Sequence, residues 1–208
     1  MQIYGTKKSR SFRCVWAAEE AGIKYEYIEI ALGSTESNGS QTDEYRTLNF
    51  QGKVPTLCDK QVTLTESAAI VNYIAKMSPE KGLIPEDHTP ERAYYDQLAF
   101  FVLSDLEQPL WTNGKHRFAI PKEFRVTEVL PTTHWEFQKA QHALIQLLSK
   151  HPGEHALGDQ FTMTDILIGH TLNWAESFKF EVLPELLDYK NRLYKRPACL
   201  AALEKIEL

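Results

Sequence analysis

The chain has 208 residues, 43% of them hydrophobic, and a formal net charge of -5, so it can bury a core in one large domain or two small ones. Its sequence pI is about 5.8, which excludes a broad basic surface for nucleic acid or an anionic membrane. No apolar run approaches the roughly 20 residues that span a bilayer. Length, composition and charge therefore predict a soluble globular protein that binds a small molecule and has neither nucleic acid nor a membrane as a partner.

The numbers and spacing of cysteine and histidine residues indicate the cellular compartment and whether a metal is bound. The chain has three cysteines, Cys14, Cys58 and Cys199, widely spaced and without a CxxC pair. Together with the lack of a signal-peptide pattern at the N-terminus, this usage predicts reduced thiols and a cytoplasmic location. The seven histidines show no metal-ligand spacing, so we expect no metal.

The first part of the chain alternates strand and helix patterns. In order, the patterns are a buried strand "MQIYG", a helix "SFRCVWAAEEAG" closed by Gly22, a strand "KYEYIEIAL", a polar loop with room for a short helix, two strands "KVPTLCDK" and "VTLTE" joined at an Asp-Lys turn, and a helix "SAAIVNYIAKM". Periodicity and turn residues therefore predict the order βαβ, loop, ββα.

The second part reads as helical throughout. The segment "SPEKGLIPEDHTPE" is rich in proline and glycine, which suits a linker. From Glu91 onward the strand patterns vanish, and four stretches carry helical spacing, the last of them running from Glu181 to Ile206. We predict an α+β protein with a first domain over residues 1–78, a linker over 79–90 and an all-α helical-bundle domain over 91–208. The bundle core is expected to include the aromatic side chains of Tyr94, Phe100, Phe101 and Trp174.

Pro55 stands at the start of the third predicted strand, where the ladder would otherwise use a backbone amide. A βαβ-ββα unit with a proline at this point has the thioredoxin-like layout. A cis Val54-Pro55 bond would turn the amide and carbonyl of Val54 outward, as a short edge for an extended peptide. The alternative is an ordinary trans proline at a strand start.

Glu66 and Ser67 lie between the fourth strand and the next helix. Ser67 is a candidate N-cap, and a helix N-terminus binds anions. Ser67 could therefore hold a ligand carboxylate while Glu66 holds an ammonium, which together would grip an amino-acid head group. The alternative is helix capping alone.

Four runs of residues along the chain resemble those of a known family. The runs "YGTKKSRSFRCVWAAEEAGIKYE", "NFQGKVPTL", "TESAAIVNYIA" and "GDQFTMTDI" are similar, in order and spacing, to those of cytosolic glutathione S-transferases over nearly the whole chain. The resemblance implies a thioredoxin-like domain that holds glutathione, a helical domain that holds an electrophile, a homodimer and a role in detoxification.

The resemblance also implies roles for individual residues. Val54, in the Val54-Pro55 pair, would bond through its backbone to the cysteinyl part of glutathione, and Glu66 and Ser67 would bind the γ-glutamyl end. Lys53 could reach a carboxylate. The family's usual Asn-Pro pair is Asn49-Phe50 here. For residues 35–45 the resemblance predicts no contact with glutathione, because the length of this loop is hard to align.

Thr162 and Asp165 fit a capping box, S/T-x-x-D, ahead of an apolar helix. In the family this segment is a folding element, so it is left out of the predicted site.

Family members activate the glutathione thiol with a tyrosine, serine or cysteine after the first strand. In this chain Tyr4 lies within the strand and Cys14 within the helix, so hydroxyls remain. The position that matches theta-like and bacterial members is Ser9, with Ser11 as the rival. A serine is far less acidic than a thiol of pKa ~8.5, so its role would be to donate a hydrogen bond to the thiolate. The alternative for Ser9 is an N-cap without a catalytic role.

The helical domain must supply the electrophile pocket. Trp111, His116 and Arg117 crowd together in "LWTNGKHRF", and an aromatic plate beside cations suits a small hydrophobic or anionic acceptor. The alternative is that the aromatic residues are core and the charges are solvated.

The leading prediction is therefore a serine-type glutathione transferase. Three alternatives remain: a glutathione-dependent isomerase, a peroxidase or disulfide reductase, and a glutathione-binding regulatory module without turnover. The isomerase is suggested by "SRSFR", which is similar to the "SCSxR" run of zeta-type maleylacetoacetate isomerases except that Arg10 replaces the cysteine.

Overall fold

The protein is described as a computed structural model that covers residues 1–60 and 62–207. The chain forms two compact units. Unit 1 comprises Met1–Ile84 and the segment that begins at Tyr194, and unit 2 is Pro85–Leu193. The sequence analysis predicted that all of residues 91–208 belong to the helical domain. In the structure, the segment that begins at Tyr194 belongs to unit 1 instead.

Unit 1 contains one four-stranded sheet, whose strands lie in the order β2-β1-β3-β4. The strands are β1 (Gln2–Gly5), β2 (Glu26–Glu29), β3 (Thr56–Asp59) and β4 (Val62–Thr65). β1 runs parallel to β2 and antiparallel to β3, with Ile3 opposite Leu57. β3 and β4 are antiparallel, and the predicted turn between them leads into Gln61, which lies outside the described residues.

The helices of unit 1 are α1 (Ser11–Ala21), α2 (Asp43–Leu48) and α3 (Ser67–Met77), joined by a C-terminal helix, α9 (Pro197–Glu207). The predicted βαβ-ββα order and the thioredoxin-like fold are confirmed. α1 is buried over most of its circumference because it contacts β1, α3 and α9. It ends at Gly22, whose φ of 68° is left-handed, as expected for a glycine C-cap.

α9 belongs to unit 1 because its contacts are with α1. Arg196, just before α9, forms an ion pair with Glu20 of α1, with N–O distances of 2.6 and 2.8 Å. The indole nitrogen of Trp16 donates to the same carboxylate at 3.0 Å, and Cys199 is fully buried. The single helical stretch predicted from Glu181 is therefore two helices, because Pro197 begins a new one.

Unit 2 is all-helical. Its helices are α4 (Pro90–Phe101), α5 (Gln108–Gly114), α6 (Leu130–Leu148), α7 (Met163–Ser177) and α8 (Pro184–Leu193), with π-helical turns at Val102–Leu106 and Lys115–Ala119. α7 is the central helix, since every residue from Phe161 to Leu172 is buried. The predicted α+β class, a thioredoxin-like domain followed by a helical one, is confirmed.

The prediction that Tyr94 and Phe100 lie in the bundle core is wrong. Their side chains are 43% and 67% exposed. α4 buries the face that carries Tyr95, Leu98 and Ala99, and helical periodicity turns the neighbouring aromatic rings outward. Within the described part of the chain, no helix is both long and apolar enough to cross a membrane.

Candidate active site

The turn between β1 and α1 carries the two candidate serines. α1 begins at Ser11, and Arg10 occupies the N-cap position without a side-chain cap. The hydroxyl of Ser9 takes over this function, since its Oγ accepts the amide of Ser11 at 3.1 Å. Lys8, one residue earlier, has a φ of 56°, which bends the chain sharply at the entry to the helix.

The environments of Ser9 and Ser11 differ. Ser11 is fully buried, and its Oγ accepts from the Thr6 amide at 3.4 Å. Ser9 is half-buried, and its Oγ lies 2.8 Å from both the Thr6 carbonyl and the Ser11 Oγ. Ser9 is therefore the more accessible of the two residues, and the hydroxyl of the buried Ser11 lies next to its Oγ.

Gly5 makes this close arrangement possible. A Cβ at Gly5 would lie 2.5 Å from the Cβ and 2.7 Å from the Oγ of Ser11, distances that real side chains do not tolerate. The end of β1 can therefore approach the start of α1 only because residue 5 has no side chain.

Gly5→Ala is expected to lower the free energy of unfolding by about 1–3 kcal/mol, because the added methyl group overpacks a fully buried contact. Chemical denaturation of the two proteins measures the loss. Ser11→Gly, which removes both clashing atoms, should recover part of it when combined with Gly5→Ala. Losses that simply add in the double variant would contradict the proposed clash.

The other nucleophile-type residues nearby are unsuited to activate a thiol. Cys14 is fully buried, and burial raises the pKa of its thiol well above the ordinary range, so it packs as a small hydrophobe. The phenol of Tyr4 donates to Gln2 at 3.1 Å, and burial raises its pKa too.

The loop before β3 forms the second part of the candidate site. The Val54-Pro55 peptide bond is cis, which confirms the prediction. Within the described ranges, no residue bonds to the N–H or C=O of Val54, so both groups are available to a ligand. Lys53 is exposed, and its Nζ donates to Gln51 at 2.8 Å. Phe50 stands in this loop where the family usually has proline, and the loop closes in a turn in which the Gly52 amide donates to the Asn49 carbonyl at 2.8 Å.

Glu66 and Ser67 form the third part, with one correction to the prediction. Glu66, not Ser67, occupies the N-cap position of α3, and Ser67 is the first helical residue. Glu66 is exposed and has a φ of 66°, a strained conformation for a residue other than glycine that is typical of functional sites. Ser67 is 5% exposed, and its Oγ accepts from the Arg13 guanidinium at 3.2 Å.

Arg13 is a fully buried cation that connects two parts of this region. It lies on α1, two residues after Ser11, and reaches the first residue of α3. A positive charge close to a helix N-terminus strengthens a site for an anion.

The predicted electrophile residues lie in unit 2. Trp111 is on α5 and half-buried. His116 and Arg117 lie on the following π-helical turn, where the His116 Nδ1 accepts the Val126 amide at 3.0 Å. Phe118 is 57% exposed and packs edge-on against Phe178. The three predicted residues are thus neighbours on one segment, with His116 engaged in local structure.

A cavity of about 270 Å³ in unit 2 lies elsewhere, between the end of α6 and α8. Its lining includes Ile145, His151, Tyr189 and Arg192, and none of the predicted electrophile residues.

Comparison with known proteins identifies the family. The model of the "Glutathione S-transferase, N-terminal domain" matches residues 1–76. "Glutathione S-transferase 1" of Dianthus caryophyllus is 30% identical over 172 residues, which are 81% of this chain and 74% of that protein. The chain belongs to the glutathione S-transferase family. The family assignment made from the sequence is therefore confirmed.

Two further relatives extend the comparison of this transferase. The "Maleylacetoacetate isomerase" of Rattus norvegicus is 27% identical over 179 residues, 86% of this chain and 79% of that protein. A solved structure of a sphingomonad glutathione S-transferase complexed with glutathione is 26% identical, covers 100% of both chains and has a TM-score of 0.85. The sphingomonad structure agrees with the family assignment, and the rat relative is named as an isomerase.

Sequence reasoning missed several residues that shape the candidate site of the transferase. Gly5 carries no chemistry-specific pattern. Arg13 ends the "SRSFR" run but was given no role, and Tyr45 lies in the region 35–45, for which no glutathione contact was predicted. Tyr45 and Asn49 both donate to the Lys53 carbonyl, at 2.6 and 2.8 Å. The polar Asn49 just before a glycine turn was the one local signal for this loop.

Proposed function

We propose that this glutathione S-transferase is of the serine type, with the Ser9 hydroxyl donating a hydrogen bond to the glutathione thiolate. The observation that carries the proposal is the pairing of an accessible Ser9 with a fully buried Ser11. When Ser9 turns its proton toward a sulfur, its oxygen still accepts the Ser11 amide, and the bond that it otherwise donates to the Ser11 hydroxyl is exchanged for one to the thiolate. Ser11 thus orients Ser9 rather than meeting the thiol itself.

The surroundings of Ser9 favour a negative charge. Lys7 and Lys8 are exposed on the same turn, and the N-terminus of α1 adds its dipole. Each unit by which the thiol pKa falls corresponds to ~1.4 kcal/mol. A depression of about two units from ~8.5 makes the thiolate predominant at neutral pH.

The peptide part of glutathione has a matching set of groups in unit 1. The amide and carbonyl of Val54, beside Pro55, bond to no residue in the described part of the chain and suit the cysteinyl backbone. Glu66 offers a carboxylate to the γ-glutamyl ammonium, and Ser67 offers a hydroxyl and an amide to its carboxylate. Lys53 suits the glycyl carboxylate.

For the second substrate we propose a small hydrophobic or anionic electrophile bound near Trp111, His116 and Arg117. We also propose a cytoplasmic homodimer with a role in detoxification. These proposals are supported by the family and by the aromatic and cationic composition of the segment.

A second candidate activity is glutathione-dependent isomerisation. The rat relative is named as a maleylacetoacetate isomerase, and that observation favours testing cis-trans isomerisation of an unsaturated diacid. Arg10 in place of the cysteine in the "SCSxR" run speaks for transfer instead.

The functions are separated by binding and turnover on the same preparation. We expect the protein to be retained on immobilised glutathione and to convert at least one member of a panel of aryl halides, hydroperoxides and mixed disulfides, with an unsaturated diacid as the isomerase substrate. Binding without any turnover would favour a regulatory module. No binding to glutathione would contradict the proposed function. Sedimentation measures the dimer, and a monomer would contradict that part.

A further inference from the structure

Two buried polar side chains, Tyr45 and Asn49, donate to one backbone carbonyl beside the proposed peptide site, and a third, Thr56, bonds to both of them. The Lys53 carbonyl accepts from Tyr45 Oη at 2.6 Å and from Asn49 Nδ2 at 2.8 Å. Thr56 Oγ1 lies 2.9 Å from Tyr45 Oη and 3.2 Å from Asn49 Nδ2. Tyr45 is 4% exposed, Asn49 2% and Thr56 0%, so water does not compete for these bonds.

The hydroxyl protons of this cluster have one consistent arrangement. Tyr45 has a single proton and donates it to Lys53, so the Tyr45–Thr56 contact must be donated by Thr56. Asn49 supplies one amide proton to Lys53 and the other to Thr56, whose oxygen accepts it. Its own Oδ1 accepts the Gln51 amide at 3.1 Å. Every proton is used once, so the cluster is rigid.

The cluster also ties a helix to the loop. Tyr45 lies in the first turn of α2, where its amide donates to the Thr42 N-cap hydroxyl at 3.1 Å. Asn49 ends the same helix, since its amide donates to the Tyr45 carbonyl. The Lys53 carbonyl that both hold belongs to the peptide unit that ends at the Val54 nitrogen. The orientation of the Val54 N–H is therefore set by α2.

We propose that Tyr45 and Asn49 are positioning residues for glutathione, which hold the Lys53–Val54 peptide so that the Val54 backbone meets the ligand. Neither side chain touches the ligand in this proposal, and Thr56 acts through both. The inference rests on the proposed role of Val54 in glutathione binding. It predicts a loss of affinity for glutathione that leaves the chemical step unchanged, because Ser9 lies on a separate turn.

The experiment compares two disruptive variants with two matched conservative ones. Tyr45→Phe removes the donor to Lys53, and Thr56→Val removes the donor to Tyr45 and the acceptor for Asn49. Thr56→Ser keeps the hydroxyl. Tyr4→Phe removes the hydroxyl of a neighbouring tyrosine, which bonds to Gln2. Isothermal titration gives Kd for glutathione, steady-state kinetics gives kcat and both KM values, and thermal unfolding controls for folding.

For Tyr45→Phe and Thr56→Val we expect Kd and KM for glutathione to rise about tenfold, the order of one lost buried hydrogen bond. Saturating kcat and KM for the electrophile should stay within about twofold of wild type, as should all constants of Thr56→Ser and Tyr4→Phe. Unchanged glutathione affinity in both disruptive variants, with wild type binding normally, would overturn the inference alone. A fall in kcat and unfolding temperature without a change in Kd would also overturn it, since that pattern marks a structural role. Failure of wild type to bind glutathione would overturn the proposed function with it.

Discussion

Ser9→Ala is expected to raise the thiol pKa of bound glutathione by about two units and to lower kcat/KM at neutral pH about 100-fold, the scale of removing one donor to a developing anion. The sign follows from the charge: the hydroxyl stabilises the thiolate over the thiol, so its loss returns the pKa toward ~8.5. Activity should therefore recover as the pH rises. The ultraviolet absorbance of the thiolate, followed against pH in the binary complex, measures the shift directly.

Ser11→Ala is the matched control for this prediction. Ser11 is fully buried, and in the proposed arrangement it acts on a ligand only through Ser9, so its removal should cost less than about tenfold in kcat/KM. Ser9→Thr keeps the hydroxyl and should retain most of the pKa depression. A larger pKa rise in Ser11→Ala than in Ser9→Ala would exchange the roles of the two serines. An unchanged pKa in Ser9→Ala would remove the role altogether.

The largest effect on stability is expected at Asp165. This carboxylate is fully buried and accepts from the Thr162 amide at 2.8 Å, the Thr162 hydroxyl at 3.1 Å and the Ala156 amide at 2.9 Å. The Tyr189 phenol donates to it as well. Burial raises the pKa of this phenol far above its ordinary range, so the phenol keeps its proton and remains a donor.

Asp165→Ala leaves these four donors without their acceptor inside unit 2. Buried unsatisfied groups cost about 1–3 kcal/mol each without adding fully, so we expect a loss of about 3–5 kcal/mol in the free energy of unfolding. The thermal midpoint should fall by roughly 10 °C. Urea denaturation and calorimetry measure both quantities.

Asp159→Ala is the matched control, since Asp159 lies six residues earlier in the same segment and is exposed. Its replacement should change the unfolding free energy by less than about 0.5 kcal/mol. Similar losses in the two variants would show that charge in the segment, rather than the buried bonds, stabilises the helix. The Thr162–Asp165 capping box itself is confirmed.

Much of the fold could be predicted because its signals are local. A glycine closes α1, the pattern "SAAIVNYIAKM" coincides with α3, and Thr162 with Asp165 marks the start of α7. Each depends on residues within a turn or two of one another, and such preferences act before tertiary contacts form. The errors were made where packing decides. Tyr94 and Phe100 share helical spacing with core residues, yet α4 buries its other face.

The candidate site divides in the same way. The sequence by itself determined the family and the residue types at the turn after β1, at the Val54-Pro55 pair and at Glu66, because these motifs are short and contiguous. Tertiary structure alone decided that Ser11 is buried beneath Ser9, that Gly5 makes room for it, and that Tyr45 bonds to Lys53. Residues far apart in the chain, such as Arg13 and Ser67, come together only through the packing of helices and strands, and hydrophobic periodicity carries no information about such pairs.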